Sequence, residues 1–253
     1  MAMNPMEQFA IKPLVEAPLF QIGGHDIYFT NQAAMMVLVA VAASLFLSLA
    51  AKPGRLVPTR GQSMAEVSYE FVANMIHSTT GPSGLKFFPF VFTLFIFVVC
   101  CNFFGMVPGT FTVTSQIAVT FALSSLVMLV VIGTGFAKHG IGFLKLFVPH
   151  APVYLLPLLI PIEFISFMTR PISLAVRLFA NMLAGHTMLG VFAGFVVSLG
   201  AAGGALAFLS IGPMLLIVAI MLLELLVAFL QAYVFAILTC IYLNEALHLH
   251  DQH

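Results

Sequence analysis

The chain has 253 residues, of which 61% are apolar and only 7% are charged. Soluble domains are about half apolar and about a quarter charged, so lipid must cover part of this apolar surface. Nine basic and nine acidic side chains give zero net charge, with no basic patch for nucleic acid and no acidic tail. We therefore expect an all-α, polytopic membrane protein.

Long windows without charged residues set the expected membrane spans. One bilayer crossing needs roughly 20 apolar residues. The predicted spans are 31–51, 87–106, 116–137, 171–199 and 206–243. The last two exceed the bilayer thickness, so we expect a long, tilted C-terminal helical hairpin. The first span lacks a small-residue cleavage pattern and is long enough to cross, which argues against a signal peptide.

Two segments do not fit simple spans. Residues 61–80 mix polar and apolar side chains, which predicts an interfacial helix. Residues 146–170 are apolar but contain four prolines, which predicts a re-entrant or bent helix on the cytoplasmic side. With no internal repeat, we expect a single membrane domain over 1–253. Its parts are an external N-terminal segment (1–30), peripheral helices (31–170) and a C-terminal hairpin (171–253).

The distribution of basic residues predicts the orientation. Basic residues follow the first and third spans, whereas segments 107–115 and 200–205 contain no Lys or Arg. The basic residues concerned are Lys52, Arg55, Arg60, Lys138 and Lys145. By the positive-inside rule these sites are cytoplasmic and the uncharged loops are outside. The N-terminus is then outside and the C-terminus cytoplasmic.

Arg177 is the most unusual residue, because it lies deep in an apolar stretch. An arginine there costs about 2.5–3.5 kcal/mol on insertion scales, and it stays charged. It therefore needs an anion, a water-filled cavity, or both, unless it is a structural cation that reaches the surface. Helical spacing puts Ser173 and Asn181 on its face, with Arg170 and Glu163 further along, which predicts a polar stripe towards the cytoplasm.

A second polar stripe runs along the last helix, where Glu224 and Gln231 are seven residues apart. In an antiparallel hairpin, the sequence numbers of two residues at equal depth add up to a nearly constant total. With an apex at Gly203-Gly204, the level pairs are Arg177 with Gln231, His186 with Glu224, and Glu163 with Glu245. His186 is about 13.5 Å along the helix axis and half a rotation from Arg177. The Arg177–Gln231 pair and the His186–Glu224 pair are therefore expected to face different aqueous pathways.

Structural interpretations of these residues remain open. Glu224 fits a neutral core acid and His186 a hydrogen-bonded core histidine, while Asn181 and Gln231 fit interhelical hydrogen bonds. The cysteines have no metal-ligand spacing and are expected to be buried small hydrophobes. They are Cys100, Cys101 and Cys240. We predict no metal and no cofactor.

Two stretches carry a family resemblance. Residues 170–186 read RPISLAVRLFANMLAGH, and residues 230–243 read LQAYVFAILTCIYL. Together they resemble the signature of subunit a of F-type ATP synthases, with a weaker match at 102–108, NFFGMVP. The deep arginine of that family matches Arg177. The family often places an acid and a histidine at the positions of His186 and Glu224, in either order. The order here, with the histidine first, resembles mitochondrial and related bacterial forms.

The resemblance implies a proton-channel subunit that lies against a rotating c-ring. Two offset half-channels are implied, an outer one past His186 and Glu224 and a cytoplasmic one past Glu163 and Ser173. Arg177 would block a direct short circuit between them. Asn181 and Gln231 complete the implied proton-translocation residues.

Further implications concern partners and location. The implied partners are the c-ring, subunit b of the peripheral stalk, the remaining ATP synthase subunits and membrane lipid. The implied location is the bacterial inner (plasma) membrane, with the mitochondrial inner membrane as the alternative. No phosphate-binding loop is present, so we expect no catalytic site in this chain. The histidine–carboxylate pair favours H⁺ over Na⁺, because imidazole gains and loses protons near neutral pH.

Two rival classes fit the sequence less well. A secondary transporter normally shows paired halves with broken helices in matching positions, and no such symmetry is seen. A membrane haem or quinone enzyme would need facing histidines in mid-span, and only His186 qualifies.

Overall fold

The computed structural model describes residues 9–14, 20–22, 25–50, 59–107, 110–147, 154–204 and 208–248. Within these ranges the chain is dominated by six α-helices. They are α1 (Asn31–Ala50), α2 (Arg60–Thr80), α3 (Phe88–Gly105), α4 (Ile117–His139), α5 (Leu156–Ala202) and α6 (Ile211–Leu247). Three 3-10 helices cover Pro82–Phe87, Val113–Ser115 and Gly140–Phe147. Before α1, strand β1 (Phe20–Ile22) pairs antiparallel with β2 (His25–Ile27).

Five of these helices are long and apolar enough to cross a membrane, which confirms an all-α, polytopic membrane protein. The candidate spans are Asn31–Ala50, Pro82–Gly105, Ile117–Leu144, Leu156–Ala202 and Ile211–Leu247. The remaining helix, α2, coincides with the segment whose mixed composition predicted an interfacial helix. Its placement at the interface stays a prediction.

The fourth span differs from its predicted bounds. It begins at Leu156 rather than near residue 171, and it continues through Pro161 and Pro171. The predicted separation of 146–170 from this span is therefore wrong for 156–170, while 148–153 are not among the described residues. A proline has helical φ and removes one backbone hydrogen bond, a loss that membrane helices tolerate when neighbours satisfy the freed groups. Separately, the Ser124 hydroxyl of α4 donates to the Pro171 carbonyl at 2.6 Å, which links α4 to α5 at this position.

Glycines end α5 where the sequence predicted an apex. The helix stops at Ala202, and Gly203 and Gly204 have φ of +69° and +61°. Left-handed backbone of this kind is accessible to glycine without steric cost and terminates helices. The break after α5 is therefore confirmed, and the next described element is α6.

The chain forms two compact units. One comprises Met1–Leu49, Ile96–Gln116 and Leu178–Ala232, and the other comprises Ala50–Phe95, Ile117–Arg177 and Tyr233–His253. We call them the first and second unit. The first contains the C-terminal half of α5 with most of α6, and the second contains α2, α4 and the end of α6.

Aromatic contacts and helix-end hydrogen bonds hold the second unit. The Phe71 ring lies 5.7 Å from both the Phe95 and the Tyr233 rings, measured between centroids. The Lys138 ammonium donates to the Leu247 carbonyl at 2.7 Å. The last carbonyls of a helix have no intrahelical partner and carry partial negative charge, so this contact stabilises the end of α6.

Gly135 of α4 allows the following 3-10 helix to pack closely. A Cβ at Gly135 would lie 2.3 Å from two ring carbons of Phe143, whereas a Cβ at Gly133 would have no atom within 4 Å. We expect Gly135→Ala to destabilise the protein by about 1–3 kcal/mol, the usual cost of overpacking. The measurement is retention of folded protein on heating in mild detergent.

Gly133→Ala is the matched control in the same helix. It should leave stability unchanged or raise it slightly, because alanine is the better helix former. Equal heat resistance of the two variants would contradict the packing seen at Phe143.

Candidate functional site

Two side-chain pairs join α5 to α6 within the first unit. Asn181 Nδ2 donates to Gln231 Oε1 at 3.0 Å, and His186 Nε2 lies 3.4 Å from Glu224 Oε1. Asn181 precedes His186 in α5, whereas Gln231 follows Glu224 in α6. The two helices are therefore antiparallel in this unit, as the number pattern of the sequence predicted.

The His186–Glu224 pair is buried. The side chains are 12% and 4% exposed, respectively. Neither carboxylate oxygen of Glu224 accepts a hydrogen bond from any described residue, so its acceptor capacity is left open. The predicted proximity of the two groups is confirmed. Burial of a carboxyl in an otherwise apolar helix pair is costly unless a partner or a proton compensates it.

Gly185 makes this close approach possible. A Cβ at Gly185 would lie 2.7 Å from Glu224 Oε1 and 3.0 Å from Glu224 Cδ. Any larger side chain would therefore displace the carboxyl group. The glycine immediately before the histidine lets the carboxyl of α6 lie against the backbone of α5.

The connection between α3 and α4 packs against the same pair. Thr112, Val113, Thr114 and Ser115 are all buried. The Thr112 hydroxyl lies 3.3 Å from His186 Nε2 and donates to the Gly105 carbonyl at 3.1 Å. The sequence predicted only an uncharged outer loop here, and the structure shows a buried segment that contacts the candidate site.

Asn102 fixes this segment and α6 together. Its amide Nδ2 donates to the Ala228 carbonyl at 3.0 Å, and its Oδ1 accepts from the Thr114 hydroxyl at 2.9 Å. Asn102 and Thr114 have no exposed surface. Ala228 is one helical turn after Glu224, so these two hydrogen bonds position the part of α6 that carries the carboxyl.

Phe9, in the described part of the N-terminal segment, also contacts His186. The Phe9 ring meets the imidazole edge-on, with centroids 6.3 Å apart. The Gln116 side chain donates to the Phe9 carbonyl at 2.9 Å. Asn31, at the start of α1, accepts from the Lys12 backbone N–H and donates to the Ala10 carbonyl. These contacts hold the segment in place beside the imidazole.

Asn181 and Gln231 form the second pair. Gln231 is buried, and its Nε2 donates to none of the described residues. The sequence placed Gln231 level with Arg177, and that level pairing stays a prediction. The side chain that hydrogen-bonds to Gln231 is Asn181, one helical turn beyond Arg177.

Arg177, Ser173 and Glu163 lie on α5 within the second unit. Arg177 and Ser173 are exposed and Glu163 is half-buried. Within the described ranges, no hydrogen bond or ion pair is formed by the Arg177 side chain. A permanently charged guanidinium thus faces outward from a helix that is long and apolar enough to span a membrane.

Arg170, on the same helix, makes several side-chain contacts. Its guanidinium forms an ion pair with Glu245 and lies over the rings of Phe167 and Tyr242, 5.5 and 5.1 Å from the centroids. The sequence predicted that Glu245 lies at the depth of Glu163. In the structure, the ion-pair partner of Glu245 is Arg170. Arg170 is therefore held by charge and aromatic contacts rather than free in water.

Sequence reasoning missed the roles of Thr112, Asn102 and Glu245. Asn102 was visible as an amide inside an apolar window, but Thr112 is one of several hydroxyl residues in a short connection, so nothing in the sequence distinguishes it. No group of three or more His, Cys, Asp or Glu side chains among the described residues is placed to hold a metal ion.

Comparison with known proteins identifies the class. The family model described as ATP synthase A chain matches residues 33–244. ATP synthase subunit a of a Chelativorans species is 57% identical over 249 residues, covering 98% of this chain and 99% of that protein. The corresponding protein of Mesorhizobium japonicum is 57% identical, with 97% and 96% covered. That of Sinorhizobium medicae is 56% identical, with 98% of each chain covered.

These likenesses and the five apolar helices define a multi-pass membrane protein of bacterial type. The chain belongs to the family of ATP synthase subunit a. It is a component of the membrane sector of F-type ATP synthase and acts together with other subunits of that complex. The family resemblance found in the two C-terminal stretches is thereby confirmed.

Gly185 provides a direct test of the His186–Glu224 arrangement. We expect Gly185→Ala to lower ATP synthesis by about tenfold, the factor that corresponds to a proton-transfer barrier raised by about 1.4 kcal/mol. The methyl group displaces the Glu224 carboxyl from α5. The measurement is ATP synthesis by membrane vesicles, normalised to assembled complex.

Gly194→Ala in the same helix is the control, because a Cβ there would meet no atom within 4 Å. Its rate should match the unaltered protein. If Gly185→Ala also synthesised ATP at the unaltered rate, the close approach of Glu224 to α5 would not be needed for function.

Proposed function

We propose that this subunit forms two offset half-channels that conduct protons to and from the carboxylates of the c-ring. Proton flow would thereby be coupled to rotation and ATP synthesis. The observation that carries the proposal is the buried His186–Glu224 pair, 3.4 Å apart between two helices with the length and composition of membrane spans. A titratable imidazole and carboxyl held together in an apolar helix pair mark a proton path.

The pair belongs to the outer half-channel. The segment that contacts His186 through Thr112 is the connection between α3 and α4, and this connection contains no Lys or Arg. By the positive-inside rule, such a connection lies on the outer side of the membrane. A proton from outside reaches His186, passes to Glu224 and is delivered to the ring. The open acceptor capacity of Glu224 suits a group that receives protons.

Arg177 acts at the contact with the ring. Its charge is permanent, its side chain is exposed, and the cost of a charge in hydrocarbon requires an anion opposite it. A ring carboxylate supplies that anion, and the ionised form of the carboxyl is favoured while it faces Arg177. As a fixed cation between the half-channels, Arg177 also prevents protons from crossing without turning the ring.

The cytoplasmic half-channel runs past Glu163 and Ser173. Both lie in the N-terminal half of α5, on the stripe that includes Arg177. The Arg170–Glu245 ion pair supports a polar cytoplasmic end for the second unit. A proton leaving the ring after almost a full turn departs by this route, driven by about 2.3 kcal/mol per charge per 100 mV.

The remaining assignments follow from the same scheme. The c-ring, subunit b of the peripheral stalk and surrounding lipid are the direct partners of this chain, and nucleotide chemistry takes place in other subunits. The N-terminus is outside and the C-terminus cytoplasmic. The ion is H⁺ rather than Na⁺, since a histidine–carboxylate pair relays protons and offers few oxygen ligands for sodium.

Arg177 is the decisive residue to change. Arg177→Ala should abolish ATP-driven proton pumping in sodium-free vesicles and increase passive proton leak, because the fixed cation between the half-channels is lost. Arg177→Lys should also be severely impaired, since an ammonium lacks the planar fork and can lose its proton in an apolar site. Pumping is measured with a pH-sensitive dye in vesicles containing assembled complex.

Arg60→Ala is the matched control, because Arg60 is an exposed arginine at the start of α2. It should pump normally. Near-normal pumping by assembled Arg177→Ala complex would overturn the mechanism, and a strict requirement for Na⁺ would overturn the choice of ion.

Access from outside is tested by thiol labelling. In a variant without the three native cysteines, cysteines at 186 and 224 should react with a water-soluble reagent added from the outer side. A cysteine at Met182, which is 1% exposed and one turn before His186, should stay unlabelled. Protection of both 186 and 224 in an otherwise accessible protein would contradict an outer half-channel there.

A further inference from the structure

Three groups surround the His186 ring, and only Glu224 among them has an assigned role in proton transfer. Glu224 lies 3.4 Å from Nε2, Phe9 meets the ring edge-on, and the Thr112 hydroxyl lies 3.3 Å from the same Nε2. Thr112 is 4% exposed, so its hydroxyl must find its partners within the protein.

The hydrogen bonds of Thr112 determine which way the proton between it and His186 points. A hydroxyl has one proton to donate and two lone pairs that accept. The Gly105 carbonyl, 3.1 Å from Thr112 Oγ1, can only accept. The hydroxyl proton is therefore used on Gly105, and the contact with His186 is a hydrogen bond only if His186 Nε2 carries the donated proton.

We propose that Thr112 is a positioning residue for proton transfer, holding the neutral His186 ring in the tautomer whose Nε2–H lies beside Glu224. The inference deepens the proposed outer half-channel and rests on it. In this tautomer Nδ1 keeps its lone pair and is free to take a proton that arrives from outside. The hydrogen bond made by one ring nitrogen of a histidine commonly sets the protonation state of the other nitrogen.

The tautomer sets the route of the relay, with entry at Nδ1 and exit at Nε2, whereas the gradient sets its net direction. When Nδ1 binds an incoming proton, the ring becomes a cation, and a small rotation turns the Nε2 proton from Thr112 Oγ1 to a carboxylate oxygen of Glu224, 3.4 Å from Nε2, which accepts it. The carboxylate becomes a carboxylic acid and the ring is left neutral with its proton on Nδ1. Exchange with water then removes the Nδ1 proton and returns one to Nε2, and the Thr112 acceptor favours that return.

The backbone around Thr112 is built to hold this geometry. A Cβ at Gly105 would lie 2.8 Å from Thr112 Cγ2, so only glycine allows the hydroxyl to reach the Gly105 carbonyl. Two residues away, Thr114 is hydrogen-bonded to Asn102, which also binds the Ala228 carbonyl of α6. The same short segment therefore fixes the Thr112 hydroxyl and, through Thr114 and Asn102, the part of α6 that carries Glu224.

The test compares two substitutions that separate the hydroxyl from the shape of the side chain. Thr112→Val keeps the shape and removes the hydroxyl, whereas Thr112→Ser keeps the hydroxyl and removes the methyl group. ATP synthesis by the complete complex in vesicles is driven by an imposed pH gradient and potential. We expect a loss of about 3- to 10-fold for Thr112→Val, the factor worth one neutral hydrogen bond, and a rate within about twofold of normal for Thr112→Ser.

A purely structural role for Thr112 would give the opposite ranking or equal losses, and either result would overturn the inference, as would a normal rate for Thr112→Val. If Thr112→Val does not assemble, Thr112→Ala replaces it in the same comparison. His186→Gln is measured alongside. A normal rate for His186→Gln would defeat the proposed outer half-channel itself, whereas a reduced rate with a normal Thr112→Val would defeat only the role of Thr112.

Discussion

Hydrocarbon cannot hydrogen-bond, and the arrangement of this protein follows from that constraint. Each polar side chain on a membrane helix must be satisfied by another part of the protein, by water or by a partner subunit. In the first unit, Asn181 is matched by Gln231 and Asn102 by the Ala228 carbonyl. The first pair fixes which faces of α5 and α6 meet, and the second fixes α3 against α6, because apolar contacts alone are nearly equivalent in lipid.

Two residues to which function is assigned lack such a hydrogen-bond partner among the described residues. Glu224 has open acceptor oxygens, and Arg177 is exposed without a hydrogen bond or ion pair among the described residues. A buried carboxyl and an outward-facing guanidinium would each be costly in a protein that worked alone. Their cost is intelligible in a subunit that exchanges protons with a moving partner, where the compensating group arrives and leaves.

Small residues control how closely the polar groups approach. Gly185 allows the Glu224 carboxyl to lie against α5, and Gly105 allows the Thr112 hydroxyl to reach a backbone carbonyl. Both glycines are therefore part of the geometry around His186, although neither carries a functional group. The same principle acts in the second unit, where Gly135 leaves space for the ring of Phe143.

The sequence by itself determined the class of protein, the number of spans and the antiparallel pairing of His186 with Glu224. Apolar run length is set by bilayer thickness, and helical periodicity relates residues along a helix, so both can be calculated without a structure. The same reasoning failed at Leu156–Pro171, because a proline often ends a helix, whereas a membrane helix continues where its surroundings satisfy the freed carbonyl, and periodicity does not show those surroundings.

Only the tertiary structure decided which polar groups actually touch. Periodicity gives depth and face but not the contacts between non-adjacent segments, so Thr112, Asn102 and the Arg170–Glu245 pair were not predicted. Thr112 lies 74 positions from His186 in the sequence. The fold brings its hydroxyl to the imidazole because residues 111–115 of the connection between α3 and α4 are buried in the first unit, and burial obliges their hydroxyl groups to find partners there.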